Sequence, residues 1–229
     1  MHYIFHDRGE RETLKPLSWT RPVADLRVGI VTLREKWSLR SPGSTFSYLT
    51  EAYLGGIFDL SQPEGDAVRH VRGAAIASSA LVDAVHGLKP GQQLVDTHGE
   101  WLASYGGATA ETVVFADSVR FIRRPFDVFS ANAEALEADF DLLTAGRSSA
   151  PFSATNTVIG DRIFAEAGAL VEASVLNSRS GAIYLAAGSE IMEGSLVRGG
   201  LALGEGAQLK LGTKIYGATT IGPGSKVGG

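Results

Sequence analysis

Cysteine is absent from this chain of 229 residues. Disulfides, thiolate metal sites and a cysteine nucleophile are excluded with it, and such a composition suits a reducing, cytoplasmic location. Long apolar runs are missing too. No stretch approaches the roughly 18 uncharged residues of a membrane span. Residues 1–11 mix charges with aromatics where a signal peptide would carry an apolar centre. A soluble cytoplasmic protein with no membrane partner is expected. Basic excess is the third absence: 21 Lys and Arg stand against 25 Asp and Glu, a net charge of −4, so a nucleic-acid partner is not expected.

What remains is the composition of a folding chain, 44% hydrophobic and 20% charged, long enough to bury a core without staples. Glycine departs from the average, with 28 residues, 15 of them in 151–229. Charge thins in the same half, where seven Lys, Arg, Asp or Glu lie between 185 and 229. The small, polar run Ala145-Gly146-Arg147-Ser148-Ser149-Ala150-Pro151 marks the change. Two domains are expected, 1–150 and 151–229.

The second half repeats every six residues. Leu185, Ile191, Val197, Leu203, Leu209, Ile215, Ile221 and Val227 stand six apart, and three places after them come Gly188, Gly194, Gly200, Gly206, Gly212, Ala218 and Gly224. Period six matches neither an amphipathic helix nor an alternating strand. It is the pattern of a parallel β-helix, with one aliphatic per hexad pointing inward and glycine at the corner, where it tolerates positive φ. A glycine-rich β-sandwich is the plainer alternative. Residues 185–229 supply two to three coils, and 155–180 read as a ragged start out of phase. The repeat stops at Val227-Gly228-Gly229 in mid-hexad without a polar cap, so the expectation is an incomplete helix that continues in a longer protein.

Residues 1–150 read as mixed α/β. His2–Phe5 is the expected first strand, 28–31 a further extended segment, and 113–115 and 119–121 alternate like strands. Leu33–Leu39 is expected as a helix. So is Ser130–Leu143, with Leu136, Phe140 and Leu143 on one face.

Charge is densest just after the first strand, where Asp7, Arg8, Gly9, Arg11, Lys15, Arg21, Asp25 and Arg27 interleave with Pro16 and Pro22. A loop leaving a strand with a glycine and several arginines can hold a polyphosphate, guanidinium forks matching phosphate oxygens. Asp7 or Asp25 could hold magnesium on the same phosphates. Spacing alone favours the plainer reading, a charged loop with local Arg–Asp pairs.

The stretch Leu14–Ile30 (LKPLSWTRPVADLRVGI), above all Thr20–Trp37 (TRPVADLRVGIVTLREKW), resembles the opening of a sugar nucleotidyltransferase family related to the bifunctional N-acetylglucosamine-1-phosphate uridyltransferase / glucosamine-1-phosphate acetyltransferase. Ile191–Gly229 is similar to its divergent branch as well, with Met192-Glu193-Gly194-Ser195, Lys214-Ile215-Tyr216-Gly217 and Thr220-Ile221-Gly222-Pro223. The resemblance implies a nucleotidyltransferase-like α/β domain followed by a left-handed β-helix. It implies attack of a sugar 1-phosphate on the α-phosphate of a nucleoside triphosphate with release of pyrophosphate, giving a UDP-N-acetylglucosamine-type product with magnesium as cofactor. On this footing Arg11 and Arg21 are the expected catalytic phosphate clamps. Arg8, Gly9, Asp25 and Arg27 bind the nucleotide, and Asp7 holds the metal. A homotrimer through the β-helix is also implied.

Typical members carry a Gly-Thr-Arg loop and a lysine after the proline. The aligned places here read Arg11-Glu12-Thr13 and Val23. A second expectation therefore stands beside the first, a non-catalytic module that binds a sugar nucleotide or serves as a trimerising scaffold. Acyl transfer with acyl-coenzyme A is implied only for a longer protein, because the five histidines, His2, His6, His70, His86 and His98, all precede the repeat. Weaker signals are read plainly: Asp96-Thr97-His98-Gly99-Glu100 and Asp117 as turns rather than metal sites, and Arg123-Arg124-Pro125 as a surface pair. Lys210, Lys214 and Lys226 are spaced to share one outer face.

Overall fold

The computed structural model describes residues 1–63, 68–106 and 111–228; Gly229, part of the expected incomplete hexad, lies outside them. The chain packs as two compact units. One comprises Met1–Leu26 with Thr32–Val128, the other Arg27–Val31 with Phe129 onward. Among the described residues no helix is long and apolar enough to cross a membrane.

In the first unit, β1 (His2–His6) is followed by α1 (Glu10–Thr13), α2 (Leu33–Arg40), β2 (Thr45–Leu49), β3 (Val68–Arg72) and α3 (Ser79–His86). Then come β4 (Gln92–Val95), β5 (Trp101–Tyr105), β6 (Glu111–Val114) and α4 (Pro125–Ser130), whose last two residues belong to the second unit. The sheet order is β2-β1-β3-β5-β4-β6. β1 is parallel to β2 and β3, β5 is antiparallel to β3 and β4, and β4 is parallel to β6. Three successive residues of β1, Tyr3, Ile4 and Phe5, are buried, as a strand covered on both faces requires. Tyr3 and Phe5 meet Trp37 of α2 at ring distances of 5.4 and 6.2 Å. That helix begins where a capping box fixes it: Thr32 Oγ1 accepts from the Glu35 N–H at 3.1 Å, and Glu35 Oε2 accepts from the Thr32 N–H at 2.7 Å.

Two expected strands are not strands. Residues 119–121 form only an isolated bridge, Phe121 against Ala75. Residues 28–31 form a tight loop closed by the Val28 N–H on the Val31 carbonyl. This loop belongs to the second unit, against α5 (Asn132–Thr144). Asn132 Oδ1 accepts from the Gly29 N–H at 2.8 Å, and Asp139 Oδ2 accepts from the N–H groups of Ile30 and Val31. Gly29 is required there: its φ is +81°, and a Cβ would stand 2.7 Å from the Ala135 carbonyl carbon. The expected amphipathic helix begins at Asn132 rather than Ser130, and its Leu136 and Phe140 are buried.

The repeat forms four coils among the described residues. The first is β7 (Thr157–Ile159), β8 (Ile163–Ala165) and β9 (Leu170–Val171); the second is β10 (Val175–Asn177), β11 (Ile183–Leu185) and β12 (Glu190–Ile191). The third is β13 (Leu196–Arg198), β14 (Leu201–Leu203) and β15 (Gln208–Leu209); the fourth is β16 (Lys214–Tyr216), β17 (Thr219–Ile221) and β18 (Lys226–Val227). Corresponding strands stack in parallel into three sheets of four. In chain order this is an α/β domain followed by a β-helix, the fold class expected. The hexad aliphatics from Leu185 to Ile221 are buried, while Val227 is 37% exposed.

The ragged start is made of true coils. Val197 pairs with Ile215, eighteen positions on, whereas Leu176 pairs with Val197 across twenty-one. The extra residues lie between β10 and β11, so the phase break is a lengthened corner. Corner glycines 188, 194, 206, 212 and 224 take left-handed φ, but at the remaining corner Gly199 and Gly217 do so instead of Gly200 and Ala218. Lys214 sits on the β16 sheet and Lys226 on the β18 sheet, with Lys210 just after β15. The three lysines therefore do not share one face. The sheet holding β8, β11, β14 and β17 turns Phe164, Tyr184 and Ala202 toward Ile30, Leu136 and Phe140.

Gly29→Ala is expected to destabilise the protein by about 2 kcal/mol or more, combining left-handed strain with a backbone clash. Gly43→Ala, at φ +79° with open space around its Cβ position, should lose only about 1 kcal/mol. Urea denaturation followed by circular dichroism measures both.

Candidate functional site

Strand β1 has β2 on one side and β3 on the other, so the chain leaves it in opposite directions. Parallel sheets open a crevice at the carboxyl ends of strands where this happens. Three segments meet there: the turn Asp7–Glu10 after β1, Arg72 at the end of β3, and the β4–β5 hairpin carrying Glu100 and Trp101. The stretch 121–124 joins them through the Phe121 bridge to Ala75. Together they line a cleft of about 470 Å³.

Charge in the cleft is unevenly satisfied. Arg72 donates to Glu10 through Nε at 2.8 Å and through Nη2, and through Nη1 to Glu100 at 3.0 Å. Arg123 also donates to Glu100. Arg8 and Arg124 are exposed, and their guanidiniums lie over rings, Arg8 over Trp101 at 4.6 Å and Arg124 over Phe126 at 5.9 Å. Four arginines thus face two glutamates, and among the described residues the side chains of two of the four have no carboxylate partner. Arg8 has φ +45°, a conformation that costs a residue with a Cβ about 1–2 kcal/mol. Gly9 is exposed at φ −70°, and a Cβ there would meet nothing within 4 Å. Its backbone is open to a ligand.

The other residues singled out in the sequence are placed differently. Arg11 is buried; it donates to Asp7 at 3.0 Å, Thr50 at 3.1 Å, the Arg21 carbonyl and Tyr53. Its guanidinium faces inward, so it braces the loop instead of clamping phosphate. Asp7 is 2% exposed. Its Oδ1 accepts from the Val23 N–H at 2.7 Å, and its Oδ2 accepts from Arg11 and Thr50. Burial pushes this carboxyl up against those hydrogen bonds. With both oxygens engaged internally, Asp7 does not fit a magnesium ligand. Asp25 accepts from Arg34 Nε and Tyr48 Oη, each at 2.9 Å, and Arg27 donates to the Ile30 carbonyl. Both are framework. Arg21 is exposed but does not line the cleft.

Asp96–Glu100 is the expected hairpin turn: Asp96 Oδ1 accepts from the N–H groups of His98 and Glu100. Arg72, Glu100, Trp101, Arg123 and Arg124 were not read as a site. Glu100 stands out in the sequence only within the Asp96–Glu100 turn and Arg123-Arg124 only as a surface pair, because the proximity of the pair to the β1 turn depends on a contact across more than 100 residues.

Beside the cleft, His6 Nε2 and His70 Nδ1 share a hydrogen bond of 2.8 Å, and the His6 ring lies 5.3 Å from Trp101. Burial, then the neighbouring His70 and Arg8, pulls His6 down to about 4. A histidine with a folded-state pKa below its unfolded value, near 6.5, takes up its proton more readily unfolded, so stability falls as pH drops between them. The urea midpoint should therefore fall between pH 7.5 and pH 5 by more in the wild type than in His6→Gln. Equal falls would show that His6 is not the titrating group.

The family model described as sugar nucleotidyl transferase matches residues 3–148, which takes in every segment of the cleft. A search of curated proteins returns no significant match. On the extent of that family match, the chain belongs to the sugar nucleotidyl transferase family.

Proposed function

We propose that the chain transfers a uridylyl group from UTP to N-acetylglucosamine 1-phosphate. The sugar phosphate oxygen attacks the α-phosphorus, a new P–O bond forms, and the bond to the β-phosphate breaks to release pyrophosphate. Family membership supports sugar nucleotidyl transfer. The sugar and base rest on the likeness of Thr20–Trp37 to the uridyltransferase branch. The observation that carries the reading is the cleft after β1, where the Arg8 and Arg124 side chains have no carboxylate partner among the described residues, beside the open Cβ position of Gly9. Such chemistry asks a protein mainly for positioning and charge neutralisation. Arg8 and Arg124 neutralise the triphosphate, Gly9 admits it, and Arg11 holds the loop from behind. Magnesium belongs to the expected reaction, but Asp7 does not hold it, and no step here depends on a protein-bound metal. The repeat is read as an assembly module for a homotrimer, supported by the outward Leu196 and Tyr216, 45% and 75% exposed.

The test is pyrophosphate release from the purified chain with UTP, N-acetylglucosamine 1-phosphate and magnesium. Arg8→Gly should denature no earlier than wild type, since glycine relieves the positive φ. It should nevertheless lower kcat/KM about tenfold, as loss of a charge-assisted hydrogen bond does. Arg124→Ala should act similarly. Saturable UTP binding without pyrophosphate release would make the chain a sugar-nucleotide binder, and neither binding nor release would overturn the reading.

A further inference from the structure

Two guanidinium groups in the cleft converge on one carboxylate oxygen. Glu100 Oε2 accepts from Arg72 Nη1 at 3.0 Å and from Arg123 Nη2. Both guanidiniums also lie over Phe121, 4.4 and 4.5 Å from its centroid, and Glu10 anchors Arg72 from another direction. One N–H from each of two guanidiniums resting on one aromatic ring is aimed at one oxygen, and together they form an oxyanion cradle. A phosphate oxygen meets the same donors with more charge behind it.

We propose that Arg72 and Arg123 form a subsite for a pyrophosphate oxygen, and that its resting occupant is the protein's own Glu100 carboxylate, which leaves when the polyphosphate of a nucleotide or free pyrophosphate enters. The proposal rests on the nucleotidyl-transfer reading above. The Glu100 backbone is held independently of its side chain, its N–H on Asp96 Oδ1 at 2.8 Å and its carbonyl on the Asp96 N–H at 2.9 Å. The carboxylate can therefore swing away without disturbing the hairpin. Its side chain is 36% exposed, so the swing leads into water, whereas Glu10 is 7% exposed and keeps Arg72 in place. Arg8 and Arg124 line the same cleft and supply charge for the rest of the polyphosphate. Burial raises the Glu100 carboxyl, but Arg123 and Arg72 outweigh it and hold the group below its ordinary value. Glu100 is thus ionised, and a competitor, at neutral pH. A subsite occupied nine-tenths of the time binds its ligand about tenfold more weakly than an open one.

The experiment is calorimetric titration of the full chain with inorganic pyrophosphate, folding being checked by circular dichroism. Glu100→Gln and Glu100→Ala should each bind about three- to tenfold more tightly than wild type, and Arg123→Ala more weakly. Glu12→Gln, the same charge change on an exposed residue outside the cleft, should bind as wild type does. Wild-type binding with no gain in the Glu100 variants, or an equal gain in Glu12→Gln, overturns the subsite and leaves nucleotidyl transfer standing. No pyrophosphate binding in any form, with no pyrophosphate release in the transfer assay, overturns both.

Discussion

One buried carboxylate organises the end of the first strand. Asp7 receives the Val23 N–H, the Arg11 guanidinium and the Thr50 hydroxyl, and so ties together three stretches of chain that are distant in sequence. A buried ion pair adds little net stability over a well-packed apolar pair, but removing one partner strands the other charge, at roughly 3–5 kcal/mol. The pairing therefore acts as a constraint on shape. With residue 7 fixed inward at one end of the turn and residue 11 at the other, residues 8 and 9 are left facing solvent. The left-handed backbone of Arg8 is a local consequence of that bracket.

A second bracket works in the same manner in the other unit. Asn132 and Asp139 occupy the N–H groups of Gly29, Ile30 and Val31, and Thr220 Oγ1 donates to the Gly29 carbonyl at 2.8 Å. The run from Thr20 to Trp37, which carries the family likeness, is thus largely framework: Asp25 with Arg34, Arg27 with Ile30, Thr32 with Glu35. The four arginines that line the cleft, Arg8, Arg72, Arg123 and Arg124, lie outside that run.

This division explains what could be read from the chain. The β-helix was legible because its signal is local: from Leu185 each inward aliphatic announces itself six residues after the last, while before it steps of seven (Val158 to Ala165), five (Val171 to Leu176) and nine (Leu176 to Leu185) blurred the beginning. The first strand, α2 and the hairpin at Asp96 were legible for a similar reason, each being set by its own alternation, cap or turn chemistry. The site was half legible. Arg8 and Gly9 adjoin a strand end and could be placed beside it. Arg72, Glu100 and Arg123 come together only through the β3–β5 pairing and the Phe121 bridge, and no spacing encodes such a meeting. The inward turn of Arg11 was equally hidden, since a buried arginine and a phosphate clamp look alike in sequence.

The lengthened corner between β10 and β11 separates two properties that a repeating fold usually couples. Stacking is set by which inward residues lie above one another, Leu176 under Val197 and Ala165 under Leu185, and it survives a change in the number of residues between them. Chain length at that corner can therefore vary at Arg179 and Ser180, its exposed residues, while Ser178, Gly181 and Ala182 stay packed against the neighbouring coils and α5. The corner is a port in the scaffold, where a grafted peptide or reporter loop would project sideways from the prism and leave the ladder of coils in register.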